Sequence, residues 1–296
     1  MTGWLSDNLV SILNGLALGC LLFALAVGLS LVFGILDVLN LAHGSLFVAG
    51  AYAAWRLADD GSAGGFLMAV LLAAVIGGAG GLALTAATRP LAGRGHLDQA
   101  LLTLGITLVV TEVVQSWFGR DPHGVLPPVA GSVDIGGGYP TYRLALIGIG
   151  VVVALLVDRV VERTRIGALV RATVCDPDMV AALGVNTLLV RSGAFAVGGA
   201  LAAVAGVLGA PLLGANPHLD AQVLLLALVV IVIGGLGSVR GALLGALLIG
   251  QVQSLGVALA PRQAPFLLFG TMALVLVVRP AGLLGTRQSA ALGGGR

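Results

Sequence analysis

The sequence has no lysine, two cysteines, three tyrosines and three tryptophans in 296 residues, and only 9% of it is charged. Each shortage excludes something. With every basic residue an arginine, the phosphate-cradling loop G-x-x-x-x-G-K-[ST] cannot be built, because its lysine is the group that reaches the phosphates. The chain is therefore not expected to be an ATPase in its own right. Cys20 lies in an apolar run and Cys175 in a polar loop, with no C-x-x-C between them, and His43, His96, His123 and His218 are scattered singly. Neither a structural disulfide nor a zinc or haem site is expected from that spacing. Soluble domains carry about 25% charged residues, so a chain that is 58% hydrophobic with a mean hydropathy of +1.07 is a membrane protein. A net charge of +2 in so apolar a chain gives no reason to expect a nucleic-acid partner. Residues 1–8, "MTGWLSDN", have no basic start and no small-residue cleavage site after them, so no cleavable leader is expected.

What is present is a series of apolar runs along the whole length, near 8–35, 42–55, 65–88, 98–118, 143–158, 189–212, 221–237, 241–260 and 264–278. A helical span needs about 20 such residues. The expectation is an all-α polytopic membrane protein, a bundle of about eight or nine transmembrane helices forming one domain over 1–296. Arg89 and Arg94, the group Arg159, Arg163, Arg165, Arg171 and Arg191, then Arg240, then Arg279, Arg287 and Arg296 fall in alternate connections, which the positive-inside rule makes cytoplasmic. Nine crossings then put the N-terminus outside. The alternative is a re-entrant segment over 36–55 with the N-terminus inside. The outward loop 119–142 is long and rich in glycine and proline, suiting turns and a short hairpin, and 286–296 reads as a flexible tail. Small residues recur every fourth position at Ala69, Ala73, Gly77 and Gly81, at Ala194, Gly198, Ala202, Gly206 and Ala210, and at Gly237, Gly241 and Gly245. Such stripes let membrane helices approach closely.

Three polar stretches interrupt the apolar text. In "FGILDVLNLAHGSLFVAGAY", Asp37, Asn40 and Gly44 are poor helix-interior residues, and with His43 and Ser45 they predict a helix break near one membrane face. It is either an interfacial turn or a broken segment beside a pathway, since irregular backbone in a membrane must be buried in protein or lie against water. In "LLTLGITLVVTEVVQSW", Thr103, Thr107 and Thr111 form a hydroxyl stripe with Glu112 and Gln115 beside it. An intramembrane carboxylate usually faces the bundle interior or water, which makes Glu112 a pathway candidate, although back-bonding to the helix would also account for the threonines. In "RTRIGALVRATVCDPDMVAALGVNTLLVRSG", Asp176 can cap a helix that starts at Pro177 and stops before Gly184. The spacing predicts a cytoplasmic helix of about two turns over 177–183, with Met179, Val180, Ala181 and Leu183 on it and an apolar side made by Met179, Val180 and Leu183. It is a docking peg or a plain loop.

The segment from Asn14 to Tyr52, with its Phe-Gly-x-x-x-x-x-Asn-x-Ala-His-Gly turn, closely resembles the permeases of branched-chain amino-acid ABC importers. "TLGITLVVTEVVQSWFG", "RTRIGALVRATVCDPDMVAALGVN", "VIGGLGSVRGALLGALLIG" and "RPAGLLG" resemble further segments of that family, in order, from about residue 8 to 285. The resemblance, strongest to the LivH-type subunit, implies a type II importer permease in a bacterial inner membrane. It implies a second homologous permease, two cytoplasmic ATPases that bind ATP and magnesium, and an extracytoplasmic substrate-binding protein as partners, with surrounding lipid. This chain itself would hold no cofactor and perform no catalysis. The segment 173–187 would be the coupling helix received by an ATPase. Cys20, Leu21 and Phe23, and the pair Thr111-Glu112, depart from the family pattern, which leaves aromatic acids, amides and urea open beside branched-chain amino acids. A proton-coupled secondary transporter, with Glu112 and Asp37 titrating, is the main rival; a channel built on "ANPH" at 215–218 and a non-transport scaffold are weaker ones.

Overall fold

The structure, a computed structural model, describes residues 2–36, 40–91, 95–134 and 138–285. Asp37 and the tail 286–296 lie outside the described residues. Helices α1 (Thr2–Leu36), α2 (His43–Leu57), α3 (Ala63–Thr88), α4 (His96–Phe118) and α5 (Thr141–Arg163) are followed by two short ones, α6 (Arg165–Cys175) and α7 (Pro177–Ala182). Then come α8 (Thr187–Leu213), α9 (Leu219–Gly234), α10 (Val239–Leu259) and α11 (Ala264–Val278). Each of the nine apolar runs has become a helix. Six of them, α1, α3, α4, α5, α8 and α10, are long and apolar enough to cross a membrane. The other three, α2, α9 and α11, are only 15, 16 and 15 residues long.

Helices α1 and α8 lie at the centre. The first packs on α10, α8 and α5, the second on α3, α2 and α1. Their contacts are made by backbone. Gly28 of α1 faces Gly198 of α8, and Gly77 and Gly81 of α3 face Gly199 and Phe195. A Cβ at Gly50 of α2 would overlap the Ala203 carbonyl, and one at Gly206 would overlap the Phe47 carbonyl. The small-residue stripes are therefore contact lines, as close packing in lipid requires. One of them reads differently in three dimensions. Gly241 and Gly245 pack on the last turns of α9, but Gly237 belongs to the turn before α10, at φ +75°, where only glycine is unstrained.

The sense of the helices decides between the two topologies. Going from residue 21 to 28, α1 passes residues 209 to 198 of α8, and α3 passes 199 to 195 on going from 77 to 81. Both run antiparallel to α8, so α1 and α3 point the same way and α2 brings the chain back between them. A re-entrant 36–55 would have set them opposed. The start of α1 thus lies on the same side as the α2–α3 turn, where Ser62 caps α3 through Gly65 N and hydrogen bonds from Ser62 hold the Asp60 carboxyl below its ordinary range. The long loop on that side forms a two-residue hairpin, β1 (Ser132–Val133) with β2 (Tyr139–Pro140), antiparallel in register Val133 to Tyr139.

Candidate functional site

The break after α1 is built by its own polar residues. Asn40 accepts the amide of Ala42 on its side-chain oxygen at 3.1 Å and the amide of His43 on its carbonyl at 3.3 Å, an Asx-type turn that starts α2. His43 is fully buried, and its Nε2 lies 3.1 Å from the carbonyl of Leu25. Leu25 is in the middle of the first span, Asn8–Gly34. Asn40 to His43, which lead into α2, therefore lie deep in the bundle, whereas Gly34 near the end of α1 lies beside Gly237 in the turn before α10. The chain reaches this depth because the freed backbone finds partners there.

Those partners are the threonines of α4. The Leu41 amide donates to Thr103 Oγ1 at 3.1 Å, and Thr107 Oγ1 donates to the Leu41 carbonyl at 3.1 Å. One turn further, Thr111 Oγ1 donates to Asp220 Oδ2 at 2.7 Å. Spacing of four residues puts the three hydroxyls on one face. Each also sits within reach of its own helix carbonyls, with Thr107 bonded to Thr103 and Thr111 to Thr107. They thus back-bond to their own helix, as considered for them, and in addition hold the Leu41 backbone and Asp220. Apart from this stripe, α4 is largely exposed on the bundle's rim; Leu101, Leu108 and Val109 face outward.

Asp220 is the residue that the sequence did not reveal. It is 6% exposed, in the first turn of α9, and its Oδ1 accepts the amide of Ala221 at 2.7 Å. A carboxylate at a helix N-terminus is stabilised by the unpaired amides and dipole there. Gly44 lies against its backbone, where a Cβ would overlap the Asp220 carbonyl. The first turns of the two short helices α2 and α9 therefore meet inside the bundle. In "NPHLDAQ" an aspartate after a proline turn looks like an ordinary loop or cap residue. The one available signal was its position ahead of the apolar run 221–237.

Of the residues singled out in the sequence, the structure brings Asn40, His43, Gly44, Thr103, Thr107 and Thr111 together at this junction. Ser45 is buried in the same turn of α2, and among the described residues its hydroxyl has no partner. Glu112 is not part of the junction; it lies on the exposed side of α4. Beside the junction is a cavity of about 100 Å³ lined by leucines of α1, by Phe47 and by Val223 and Gln222 of α9, with Gln253 of α10.

The arginine-rich segment forms two helices where one was expected. Thr164 caps α6 through Gly167 N, and Arg171 ties α6 back to α5 at the carbonyl of Val161 and at Glu162. Asp176 Oδ1 caps α7 by accepting Met179 N at 2.9 Å, Pro177 opens that helix, and Gly184 at φ +81° follows it. The apolar side foreseen for α7 is divided: Val180 is buried against the bundle, whereas Met179 and Leu183 are 61% and 74% exposed at its tip. Gly198, Gly206, Gly241 and Gly245 take up the packing positions described above. Among the described residues no group of three or more His, Cys, Asp and Glu could hold a metal.

Compared with known proteins, residues 11–278 match the family model "Branched-chain amino acid transport system / permease component". The chain is 31% identical over 293 residues to the high-affinity branched-chain amino acid transport system permease protein LivH of Escherichia coli K12, covering 92% of this chain and 94% of that one. It is 29% identical to the permease protein BraD of Pseudomonas aeruginosa, over 94% and 95% of the two chains. A probable branched-chain amino acid transport permease LivH of Methanocaldococcus jannaschii is 28% identical over 247 residues. No solved structure matches.

Proposed function

The chain belongs to the branched-chain amino acid transport permease family, an ABC transporter permease family, and from that premise we propose that it is the membrane subunit of an ATP-driven importer for branched-chain amino acids. It works with a second permease, two cytoplasmic ATPases and an extracytoplasmic binding protein, in a bacterial inner membrane. ATP and magnesium are held by the ATPases. Closure of the ATPases moves α7, and rigid-body displacement of the bundle exchanges outward- and inward-facing states. The observation that carries the reading is the α7 tip, a helix fixed at both ends, with Val180 anchored in the bundle and Met179 and Leu183 presented outward. Two exposed apolar side chains on a rigid peg suit insertion into a hydrophobic groove of a partner, the usual helix-in-groove mode.

The test is co-purification of the importer subunits with Met179→Asp and Leu183→Asp. A charge placed in a desolvated groove costs several kcal/mol, so each variant is expected to lose the ATPase while remaining folded, because neither side chain packs in the bundle. A chain that transports in liposomes without an ATPase would replace this reading with that of a secondary transporter.

A further inference from the structure

We propose that the cavity beside the α2–α9 junction is the subsite for the aliphatic side chain of the transported amino acid, with Gln222 and Gln253 as the groups that meet its charged end. This rests on the amino-acid reading above and adds where selection by size takes place within this chain. The cavity's walls include Leu22, Leu25, Phe47 and Val223, and its volume is about 100 Å³. An apolar protein cavity of ~150 Å³ takes up benzene. The smaller space here is close to the size of a branched group of three or four carbons.

Its position ties it to the junction. The carbonyl of Leu25 holds His43, and Val223 lies three residues beyond Asp220 on α9. The two glutamines supply the polar side. Gln222 is exposed and Gln253 half-buried, and among the described residues neither amide makes a hydrogen bond. Apart from Asp220, α9 is otherwise apolar, and on α10 the neighbouring Gln251 and Ser254 are bonded to the carbonyls of Ile12 and Ser11 of α1. An amide facing hydrocarbon leaves both its donors and its acceptor unmet, so these groups face water or a polar ligand. A primary amide donates to a carboxylate and accepts from an ammonium group, and an amino acid offers both beside its side chain.

The experiment uses the assembled importer in proteoliposomes and follows uptake of alanine, valine, leucine and phenylalanine. The binding protein is the same in every preparation, so a changed ratio between substrates belongs to this chain. Leu22→Phe, which fills the cavity, is expected to lower leucine uptake by about tenfold relative to alanine, and Leu22→Ala to raise phenylalanine relative to leucine. Gln222→Leu, at an exposed position, is expected to reduce uptake of all four by about tenfold with the ATPase still bound. If the folded Leu22 variants keep the wild-type ratios within about twofold and Gln222→Leu transports normally, the cavity is not the subsite. Should Leu22→Phe fail to fold, Leu22→Ala and Gln222→Leu decide on the same criterion. A wild-type importer that hydrolyses ATP but carries no amino acid would overturn the functional reading itself, and it would be recognised before any variant is compared.

Discussion

Thr111 donates to a carboxylate that also holds the amide of Ala221, and both groups lie in a part of the bundle that water reaches poorly. Removing the hydroxyl leaves that carboxylate one partner short, at a cost of about 1–3 kcal/mol. Thr111→Val is therefore expected to lower the stability of the detergent-solubilised chain by that amount, measured by denaturant titration. The loss should shrink when Asp220 is already Asn, since the pair is coupled and its effects are not additive. Thr103 and Thr107 perform a different task at the same register, satisfying the two backbone groups of Leu41 that the helix break leaves free. The hydroxyl stripe was legible as a stripe because its spacing is local. Its partners were not, since Asp220 is 109 residues away and its place ahead of an apolar run reads equally well as a helix cap. Glu112 stood out in the text as the acid of an apolar helix, yet one residue along a helix turns a side chain by about 100°, and the neighbour of an inward-facing threonine faces outward.

Among whole helices, the glycines sort into two kinds. Gly206 and Gly50 stand where backbone meets backbone, whereas Gly105 in α4 and Gly270 in α11 have open space where a Cβ would project. Gly206→Ala must push α8 off α2 and is expected to abolish the folded chain, scored as loss of the monodisperse peak in size-exclusion chromatography. Gly105→Ala and Gly270→Ala are expected to be neutral or to stabilise by up to about 1 kcal/mol, because alanine is the better helix former. The nine apolar helices and the capped α7 could be read from the sequence, since length, periodicity and capping are properties of adjacent residues. The depth at which α2 starts, the helix α6 among the arginines and the burial of Val180 apart from Met179 could not. Each depends on which neighbour a helix face meets, and that is settled by parts of the chain far away in sequence.

For the molecule as a whole, the direction of the helices and the arginine distribution fix which ends share a side, and the native cysteines can report it. Cys175, between α6 and α7, is exposed, and Cys20 is buried. A membrane-impermeant maleimide added to intact cells is expected to leave the chain unlabelled, and to label one thiol per chain once the membrane is opened. Labelling of intact cells would invert the orientation. The arginine pattern alone left the first crossing undecided; the shared direction of α1 and α3 resolves it.

The central place of α1 has a consequence for how the protein is made. Of the two helices around which the others are arranged, α1 leaves the ribosome well before α8, and its glycine contacts are to α8 and α10. At ~5–20 residues per second, the end of α8 follows the end of α1 by about 10–35 s. Throughout that interval Gly15, Gly19 and Gly28 have only lipid or the insertion machinery against them. A chain stopped before Thr187 would leave α1 with α5 beside it but neither α8 nor α10, so assembly of the centre has to wait until those helices are made.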